Sequence, residues 1–317
     1  MLSNKERYKL FCDEHPEIPL FMQAWWVEAA SIGKEWDVLF YEENNRILAT
    51  FVYTIVKKFG FKFILNPMLS QYSGIWIDYP PKITTYQKLN IEFRVMTNLI
   101  IKIENLKFVY LEQNFHHSVT NWLPFYWKNY RQYTRYTYQI PNLKDLTACF
   151  ENLTSAKRRL IRKADSQLIA KYDTSPEVFF KNVEQNAIAK KQKLLYSKEL
   201  FMSIYEKSKE RHQSKLITAF DDKENMHAGI FLVWDKQTAY YLLSTINQEF
   251  KSSGAYTFLM WKAIRNISKK VKVFDFEGSV VQSIEESYRQ FGTQQVPYFN
   301  ISKSKSFIVD FFVRLKK

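Results

Sequence analysis

The sequence is poor in the residues that interrupt or cross-link a chain. Its 317 residues include 7 glycines, 9 prolines and 2 cysteines, Cys12 and Cys149. So few glycines and prolines argue against collagen-like and loop-dominated architectures, and two thiols cannot form a disulfide framework or a cysteine-based zinc site. We therefore expect a globular protein of a reducing compartment, the cytoplasm.

Long hydrophobic runs and acidic charge are also scarce. The first residues are charged, which predicts no signal peptide, and the uncharged stretch from Phe63 to Ile77 is too short and too polar to span a bilayer. Lysine and arginine number 46 against 32 acidic residues, a net charge of +14. This excess favours a polyanionic partner such as nucleic acid, a phosphorylated cofactor or an anionic membrane surface, although a solvated lysine-rich surface gives the same total.

Hydrophobic residues are 46% of the chain and aromatic residues 17%, enough for a large core. Hydrophobic spacing predicts the same order of elements twice. The first half reads as a helix at 20–32, strands at 37–41, 47–57 and 61–65, a helix at 84–103 and a strand at 107–113. The second half reads as strands at 215–220, 227–234 and 238–245, a helix at 254–268, a strand at 271–277, a helix to about 291 and a strand at 295–301.

Side chains follow the same repeat. The segment LKFVYLEQN at 106–114 aligns with VKVFDFEGS at 271–279, so that Glu112 and Glu277 occupy matching positions. Downstream, 128–140 resembles 289–301. Matched segments in one order indicate a duplicated α/β domain.

A mostly helical segment, about 143–212, separates the halves. Its centre places Leu160, Ile161, Ala164 and Leu168 on one helix face and five basic residues on the other. The basic residues are Lys157, Arg158, Arg159, Arg162 and Lys163. Such a face suits phosphate binding, and it equally suits an amphipathic helix with one solvated side.

Signatures of most catalytic classes are absent. No G-x-S-x-G elbow, Walker loop, H-E-x-x-H or C-x-x-C occurs, and no two of the five histidines have zinc-ligand spacing. We therefore expect no metal.

Two local patterns carry chemistry. Ser253-Gly254-Ala255 joins a strand to a helix, where free backbone N–H groups favour an anion, although plain capping by Ser252 or Ser253 explains the serines as well. In FDFEGS, 274–279, Asp275 and Glu277 share one strand face, which suits either acid–base chemistry or solvation.

At this point the sequence resembles the Fem peptidyltransferase-like branch of the GNAT acyltransferases. The resemblance rests on NLTSAKRRLIRKAD (152–165), FMSIYEKSKERH (201–212), NPMLSQYSGIW (66–76), and the long block from AGIFLVWDKQTAYYLLST through SSGAYTFLMWKAI to FDFEGSVVQSIEESYRQFGTQQVPYF. It implies an α/β (α+β) fold of two tandem GNAT-like subdomains, each a mixed, mainly antiparallel sheet flanked by helices. We expect an N-terminal subdomain at 1–140, a basic helical connection with the first helices of the second subdomain at 141–212, and a C-terminal core with the donor site at 213–317.

The resemblance also implies a reaction. An N-acyltransferase of this kind moves an acyl group from acyl-CoA, or an aminoacyl group from tRNA, to a primary amine of a small molecule or a peptidoglycan precursor. The usual phosphate loop has a second small residue where this chain has Tyr256, which leaves both donors open.

The resemblance and the local chemistry together nominate site residues. Catalytic candidates are Glu277 as base, Arg289 for charge and Tyr298 as proton donor, with Tyr288 a further donor candidate. Donor-binding candidates are Leu243, Ser244, Thr245, Ser253, Gly254 and Ala255. Acceptor-side candidates are Gln71, Tyr72, Gly74 and Trp76.

A different class of function remains open. The basic helix at 157–163 and the abundant tyrosines also suit a non-catalytic or nucleic-acid-binding module, in which lysine and arginine follow phosphates and tyrosines stack on bases. In either class, tRNA and an anionic membrane surface are candidate partners.

Overall fold

The computed structural model describes residues 2–172 and 174–315. Its helices, in chain order, are α1 (Asn4–Glu14), α2 (Ala24–Ala30), α3 (Thr85–Glu104), α4 (Leu123–Tyr126), α5 (Leu146–Glu151), α6 (Ser155–Asp165), α7 (Pro176–Ala189), α8 (Lys198–Glu210), α9 (Ala255–Ile267), α10 (Gln282–Arg289) and α11 (Phe307–Leu315). Its strands are β1 (Glu35–Glu43), β2 (Arg46–Lys58), β3 (Phe61–Leu65), β4 (Gly74–Ile77), β5 (Tyr110–Asn114), β6 (Arg131–Ile140), β7 (Ile169–Lys171), β8 (Ser214–Phe220), β9 (Met226–Trp234), β10 (Thr238–Ile246), β11 (Val273–Asp275) and β12 (Gln294–Ser304).

The chain divides into two compact units. The first comprises Met1–Arg135 and Pro297–Lys317, and the second comprises Tyr136–Val296. The sequence placed divisions at 140 and 212 instead. The chain returns to the first unit because β12 pairs with β5, while the last residues of β6 pair with β11 of the second unit.

The first unit is built on a mainly antiparallel sheet. β1, β2 and β3 pair antiparallel, β4 pairs with the first half of β2, and β3 runs parallel to β5. The crossover between β3 and β5 contains α3, as a parallel connection requires. β12 completes the sheet beside β5.

The second unit repeats this order of elements. Helices α7 and α8 precede the antiparallel strands β8, β9 and β10, and α9 then connects β10 to the parallel strand β11. Helices α1 and α2 precede β1 in the same way. The predicted fold class, two tandem α/β subdomains with mixed, mainly antiparallel sheets, is confirmed.

Local signals explain where the helices begin. Ser3 and Thr84 each form a capping box with the third helical residue, and Thr154, Ser175 and Ser197 cap α6, α7 and α8 through their hydroxyl oxygens. The predicted helix at 20–32 is shorter. Gln23 is extended and its amide donates to the Ile18 carbonyl at 2.8 Å, so the α-helix starts only at Ala24.

Each unit has its own core. In the second unit, α9 contributes its apolar face, including Phe258, Leu259 and Ile264, against buried residues of β9 and β11. Leu160 is only half-buried, but Ile161 and Ala164 of α6 are buried, so the predicted apolar stripe of the basic helix does face the core. This packing holds α6 beside α9.

Candidate active site

The second unit opens its sheet between β10 and β11. The two strands are in register only from Thr238 to Tyr240, whereas β10 continues to Ile246. The register between β10 and β9 also shifts between Tyr241 and Leu243. The donor-binding candidates Leu243, Ser244 and Thr245 therefore lie on the stretch of β10 beyond its pairing with β11.

Glu277 lies at the end of β11, opposite this opening. Its backbone has φ +59, an uncommon conformation for a residue with a side chain. Asp275 holds that turn because its Oδ1 accepts the Glu277 backbone N–H at 2.7 Å and also a hydrogen bond from Thr137, while Oδ2 accepts from Gln139 at 2.8 Å. Asp275 is fully buried and does not share a solvated face with Glu277, contrary to the sequence-based expectation.

The carboxyl group of Glu277 is incompletely hydrogen-bonded. Its Oε1 is buried and has no hydrogen-bond partner among the described residues. Burial, and then the negative charge of Asp275, raise the pKa of Glu277 well above its usual value. A carboxylate that holds a proton more tightly than usual is a stronger general base.

Two tyrosines, Tyr241 and Tyr288, interact with the charge of this carboxyl group, and a third, Tyr256, lies beside Tyr241. Tyr241 donates a hydrogen bond to Ser244, and its ring centroid lies 5.9 Å from Tyr256 and 6.4 Å from Tyr288. Burial raises the pKa of Tyr241 to about 12, and the charge of Glu277 acts in the same direction. Burial, then the charges of Tyr241 and Glu277, raise the pKa of Tyr288 as well. The hydroxyls are protonated at neutral pH and can donate.

Sequence reasoning identified Tyr288 but missed Tyr241 and Tyr256. Tyr241 and Tyr256 looked like ordinary core aromatics of a strand and a helix. The signal that marks them is their position: Tyr241 is the first residue of β10 beyond its register with β11, and Tyr256 stands where the GNAT phosphate loop carries a small residue.

The predicted donor turn lies at the start of α9. Gly254 is the N-cap with φ +79, a left-handed conformation that glycine adopts without strain. The Ser253 hydroxyl accepts the Ala255 backbone N–H at 3.3 Å, so the capping alternative accounts for one of the free N–H groups. The others at this helix N-terminus remain suited to an anion.

The basic helix α6 is next to this turn. A Cβ built on Gly254 would lie 3.4 Å from the Leu160 carbonyl oxygen, and Lys262 of α9 pairs with Asp165 at 2.7 Å. Arg159, Arg162 and Lys163 are exposed. Their cationic groups therefore lie on the helix that packs against the donor turn.

Two of the predicted basic residues are not on that exposed face. Lys157 is buried, with its Nζ donating to Ser287 at 2.9 Å and lying 4.6 Å from the Phe291 ring centroid, and burial lowers its pKa to about 8. Arg158 donates to the carbonyl groups of Glu151 and Leu153, at 2.6 and 2.5 Å. Both side chains stabilise the fold around α5 and α10.

A cleft of about 380 Å³ lies beside the connection from β10 to α9. Carboxamides dominate its lining, which consists of Asn182, Gln185, Asn186, Ala189, Asn247, Gln248 and Glu249. Thr245 donates to the Asn182 Oδ1 at 2.8 Å, and Gln248 donates to Asn186 at 2.6 Å. The cleft therefore offers donors and acceptors that carry little charge.

The other two catalytic candidates lie on α10 and β12. Arg289 is exposed on α10, where its Nε donates to Glu285 at 2.7 Å. Tyr298 belongs to the first unit, half-buried on β12. Within the second unit, Tyr288 and Tyr241 are the tyrosines on which the charge of Glu277 acts.

The acceptor-side candidates are in the first unit and are mostly packed. Tyr72 is buried, with edge-to-face contacts to Phe21 and His116 at 5.0 and 4.5 Å. The backbone oxygen of Gln71 accepts from Asn114 at 2.9 Å. A Cβ on Gly74 would lie 2.7 Å from the Phe115 ring, and half-buried Trp76 packs near Phe11 and His15. These acceptor-side candidates therefore belong largely to the core of the first unit.

Among residues 2–172 and 174–315, no three histidine, cysteine, aspartate or glutamate side chains are grouped as metal ligands would be. No helix within the same residues has the length and apolar character needed to cross a bilayer.

Comparison with known proteins agrees with this geometry. Residues 150–288 match the family model "Acetyltransferase (GNAT) domain". A search of curated proteins by sequence gives no significant match.

Solved structures share the fold over most of the chain. FemX aligns with a TM-score of 0.71 and 11% identity over 95% of this chain and 96% of its own. L-PGS from Bacillus licheniformis gives 0.59 and 9% over 98% and 96%, and a tandem GNAT protein from the clavulanic acid biosynthesis pathway gives 0.53 and 8% over 96% and 95%. Residues 150–288 thus match a GNAT domain, and the chain as a whole shares the fold of FemX and of a tandem GNAT protein, as the sequence predicted.

Proposed function

We propose that this protein is an N-acyltransferase that moves an aminoacyl group from aminoacyl-tRNA to a primary amine of a cell-envelope precursor. The observation that carries the proposal is Glu277, whose Oε1 is buried without a hydrogen-bond partner among the described residues and which follows β11, where β10 and β11 part. A primary amine is mostly protonated at neutral pH and needs such a base before it can attack a carbonyl carbon.

The reaction follows from these groups. The acceptor ammonium gives one proton to the Glu277 carboxylate, and its nitrogen then bonds to the ester carbonyl carbon. Backbone N–H groups of β10 at 243–245 stabilise the oxyanion that forms. The carbonyl re-forms as the bond to the ribose oxygen breaks. The second nitrogen proton reaches that oxygen through the Tyr288 hydroxyl, and Glu277 releases its proton to water.

The choice of donor rests on charge and on Tyr256. The exposed cations of α6 lie on the helix that packs against the donor turn, and a tRNA acceptor stem needs several such phosphate contacts. Tyr256 occupies the place of the second small residue in the usual CoA loop, and its side chain packs against Tyr241. The resemblance to the Fem branch favours the same donor, and a tRNA-dependent reaction would take place in the cytoplasm.

The acceptor proposal rests on the carboxamide cleft. Asn182, Asn186 and Gln248 can exchange hydrogen bonds with backbone amides, which suits the peptide of a peptidoglycan precursor. Thr245 links this cleft to β10, the strand proposed to bind the donor.

Acyl-CoA is the second candidate donor, favoured by the free N–H groups at the start of α9 and by the matched GNAT domain. Binding measurements distinguish the two candidate donors. Thermal shift and filter-binding titrations should show that a tRNA pool binds, with affinity falling steeply as salt increases from 50 to 200 mM, and that CoA and acetyl-CoA have little effect.

A triple variant, R159E/R162E/K163E, should lose tRNA binding, whereas K236E/R265E/K269E removes three exposed cations elsewhere in the second unit and should not. Equal tRNA binding by both variants would reject the role of α6. Salt-insensitive binding of acetyl-CoA, without tRNA binding, would favour the second donor.

A further inference from the structure

We propose that the first unit docks on an anionic phospholipid bilayer through one face, here called the membrane face. It consists of the β2–β3 turn at Lys58–Phe61, Lys107, Lys305, and Phe307 and Ile308 of α11. The proposal does not depend on acyl transfer, because it concerns residues outside the second unit.

Backbone hydrogen bonds bring the three segments to one edge of the sheet. The Val109 N–H donates to the Lys62 carbonyl at 2.8 Å, and the Lys305 N–H donates to the Val109 carbonyl at 2.8 Å. The β2–β3 turn, the segment before β5 and the start of α11 therefore lie side by side.

Large apolar side chains protrude from this edge. Phe59 is 86% exposed at the turn, where its φ is +51, and Phe61 is 54% exposed. Phe307 and Ile308 are 86% and 67% exposed. Soluble protein surfaces ordinarily carry exposed apolar residues singly. Four of them on adjacent segments indicate an interaction surface.

Positive charge surrounds these apolar groups. Lys57, Lys62, Lys107 and Lys305 line a cleft of about 380 Å³ together with Phe61. Glu35 pairs with Lys57 at 2.8 Å and Glu104 pairs with Lys305 at 2.6 Å. Among the described residues, no carboxylate pairs with Lys58 or Lys107, so their charges remain for an external anion.

A bilayer suits this combination better than a protein partner does. The phenylalanines stand on a turn and on the first turn of a helix, where they can enter the headgroup region, and the lysines beside them can meet anionic lipid phosphates. A lysine-lined cleft also matches a phosphate headgroup in charge.

Vesicle sedimentation tests the proposal on the full chain. Wild-type protein should co-sediment with vesicles of 70% phosphatidylcholine and 30% phosphatidylglycerol at 100 mM salt, and much less with phosphatidylcholine alone. K58E/K107E should weaken binding by about 25-fold, because the loss of each lysine should weaken it about fivefold. F59A/F61A should weaken it by about tenfold or more.

Matched variants and an oligomer measurement keep the result decisive. K236E/K269E makes the same change in net charge in the second unit and should bind vesicles as wild type does. All four proteins should remain folded by circular dichroism and be monomeric by light scattering. Equal binding of K58E/K107E and wild type, or no preference for phosphatidylglycerol, would overturn the proposal. So would a dimer that F59A/F61A dissociates, since the face would then bind a second copy.

Discussion

Replacing Glu277 with glutamine isolates the proton-transfer role of this residue. Glutamine keeps the size and shape of the side chain but cannot accept a proton, so kcat should fall by about 10²–10⁴, equivalent to about 3–5 kcal/mol of transition-state stabilisation. Affinity for the donor should change little, because the donor-binding residues proposed on β10 and α9 are untouched. Steady-state transfer assays from pH 5 to 9 measure both quantities.

The pH profile gives an independent readout. In the wild type, the rate should rise with pH as Glu277 loses its proton, with a midpoint above the usual glutamate range because burial and Asp275 raise its pKa. The Glu277→Gln variant should lack this acidic limb. A variant that keeps a tenth or more of the wild-type kcat and the same limb would refute the assignment of Glu277 as base.

The Tm of Glu277→Gln distinguishes a catalytic role of Glu277 from a structural one. Because folding raises the pKa of Glu277, the native state favours the protonated form, and its contribution to stability is lost as pH rises through the folded pKa. Glu277→Gln should therefore have a higher Tm than wild type at pH 7.5, and the difference should vanish toward pH 4.5. A lower Tm with near-normal activity per molecule would show that the side chain is structural.

The duplication supplies a matched control. Glu112 occupies the corresponding position in the first unit, but its carboxylate accepts hydrogen bonds from Tyr110 and, at 2.9 Å, from Asn300. Glu112→Gln should therefore lower the Tm, because a carboxylate partner is lost, and leave kcat near the wild-type value.

Three further changes test other parts of the site. Gly254→Ala should weaken donor binding and cost about 1–2 kcal/mol of stability for a left-handed alanine, whereas Gly33→Ala, with φ +71 and no atom within 4 Å of the new Cβ, should lose similar stability without affecting donor binding. Asp275→Asn should destabilise the second unit by about 2–4 kcal/mol, because buried hydrogen-bond acceptors are lost. The same substitution should move the acidic limb of the pH–rate profile to lower pH, because it removes a negative charge that raises the pKa of Glu277. Burial lowers the pKa of Lys157 to about 8, so the folded protein releases this proton more readily than the unfolded chain does. The free energy of unfolding of the wild type, relative to Lys157→Met, should therefore increase by up to about 3 kcal/mol between pH 7 and pH 10. Chemical denaturation measures this difference, which would stay constant across that range if the ammonium group were solvated.

Most elements of the fold could be predicted from local patterns. Strands such as β1 and helices such as α3 bury one face, and the spacing of their apolar residues records this directly. The duplication was visible for the same reason, since both halves repeat the same sequence of spacings. The pairing of β12 with β5 was not visible, because a partner strand far away in the chain leaves no local periodicity.

The site was only partly predictable. Glu277 and Gly254 lie in sequence segments that could be recognised. Glu277 follows β11, near the point where β10 and β11 part, and Gly254 caps the start of α9. The position of Tyr241 depends on where two strands separate, which the pattern of apolar residues does not encode. Lys157 appeared on a solvated helix face, yet packing against Phe291 buries it.

The most direct test of the proposed function is a transfer assay with both donors. Protein is incubated with a tRNA pool charged with labelled amino acids, or with labelled acetyl-CoA, in the presence of a peptidoglycan-precursor peptide bearing a free primary amine, and amide product is measured by mass spectrometry. We expect product from the charged tRNA that disappears with ribonuclease and falls by 10²–10⁴ in Glu277→Gln. Product from acetyl-CoA alone, or no product from either donor while tRNA still binds, would contradict the proposed function.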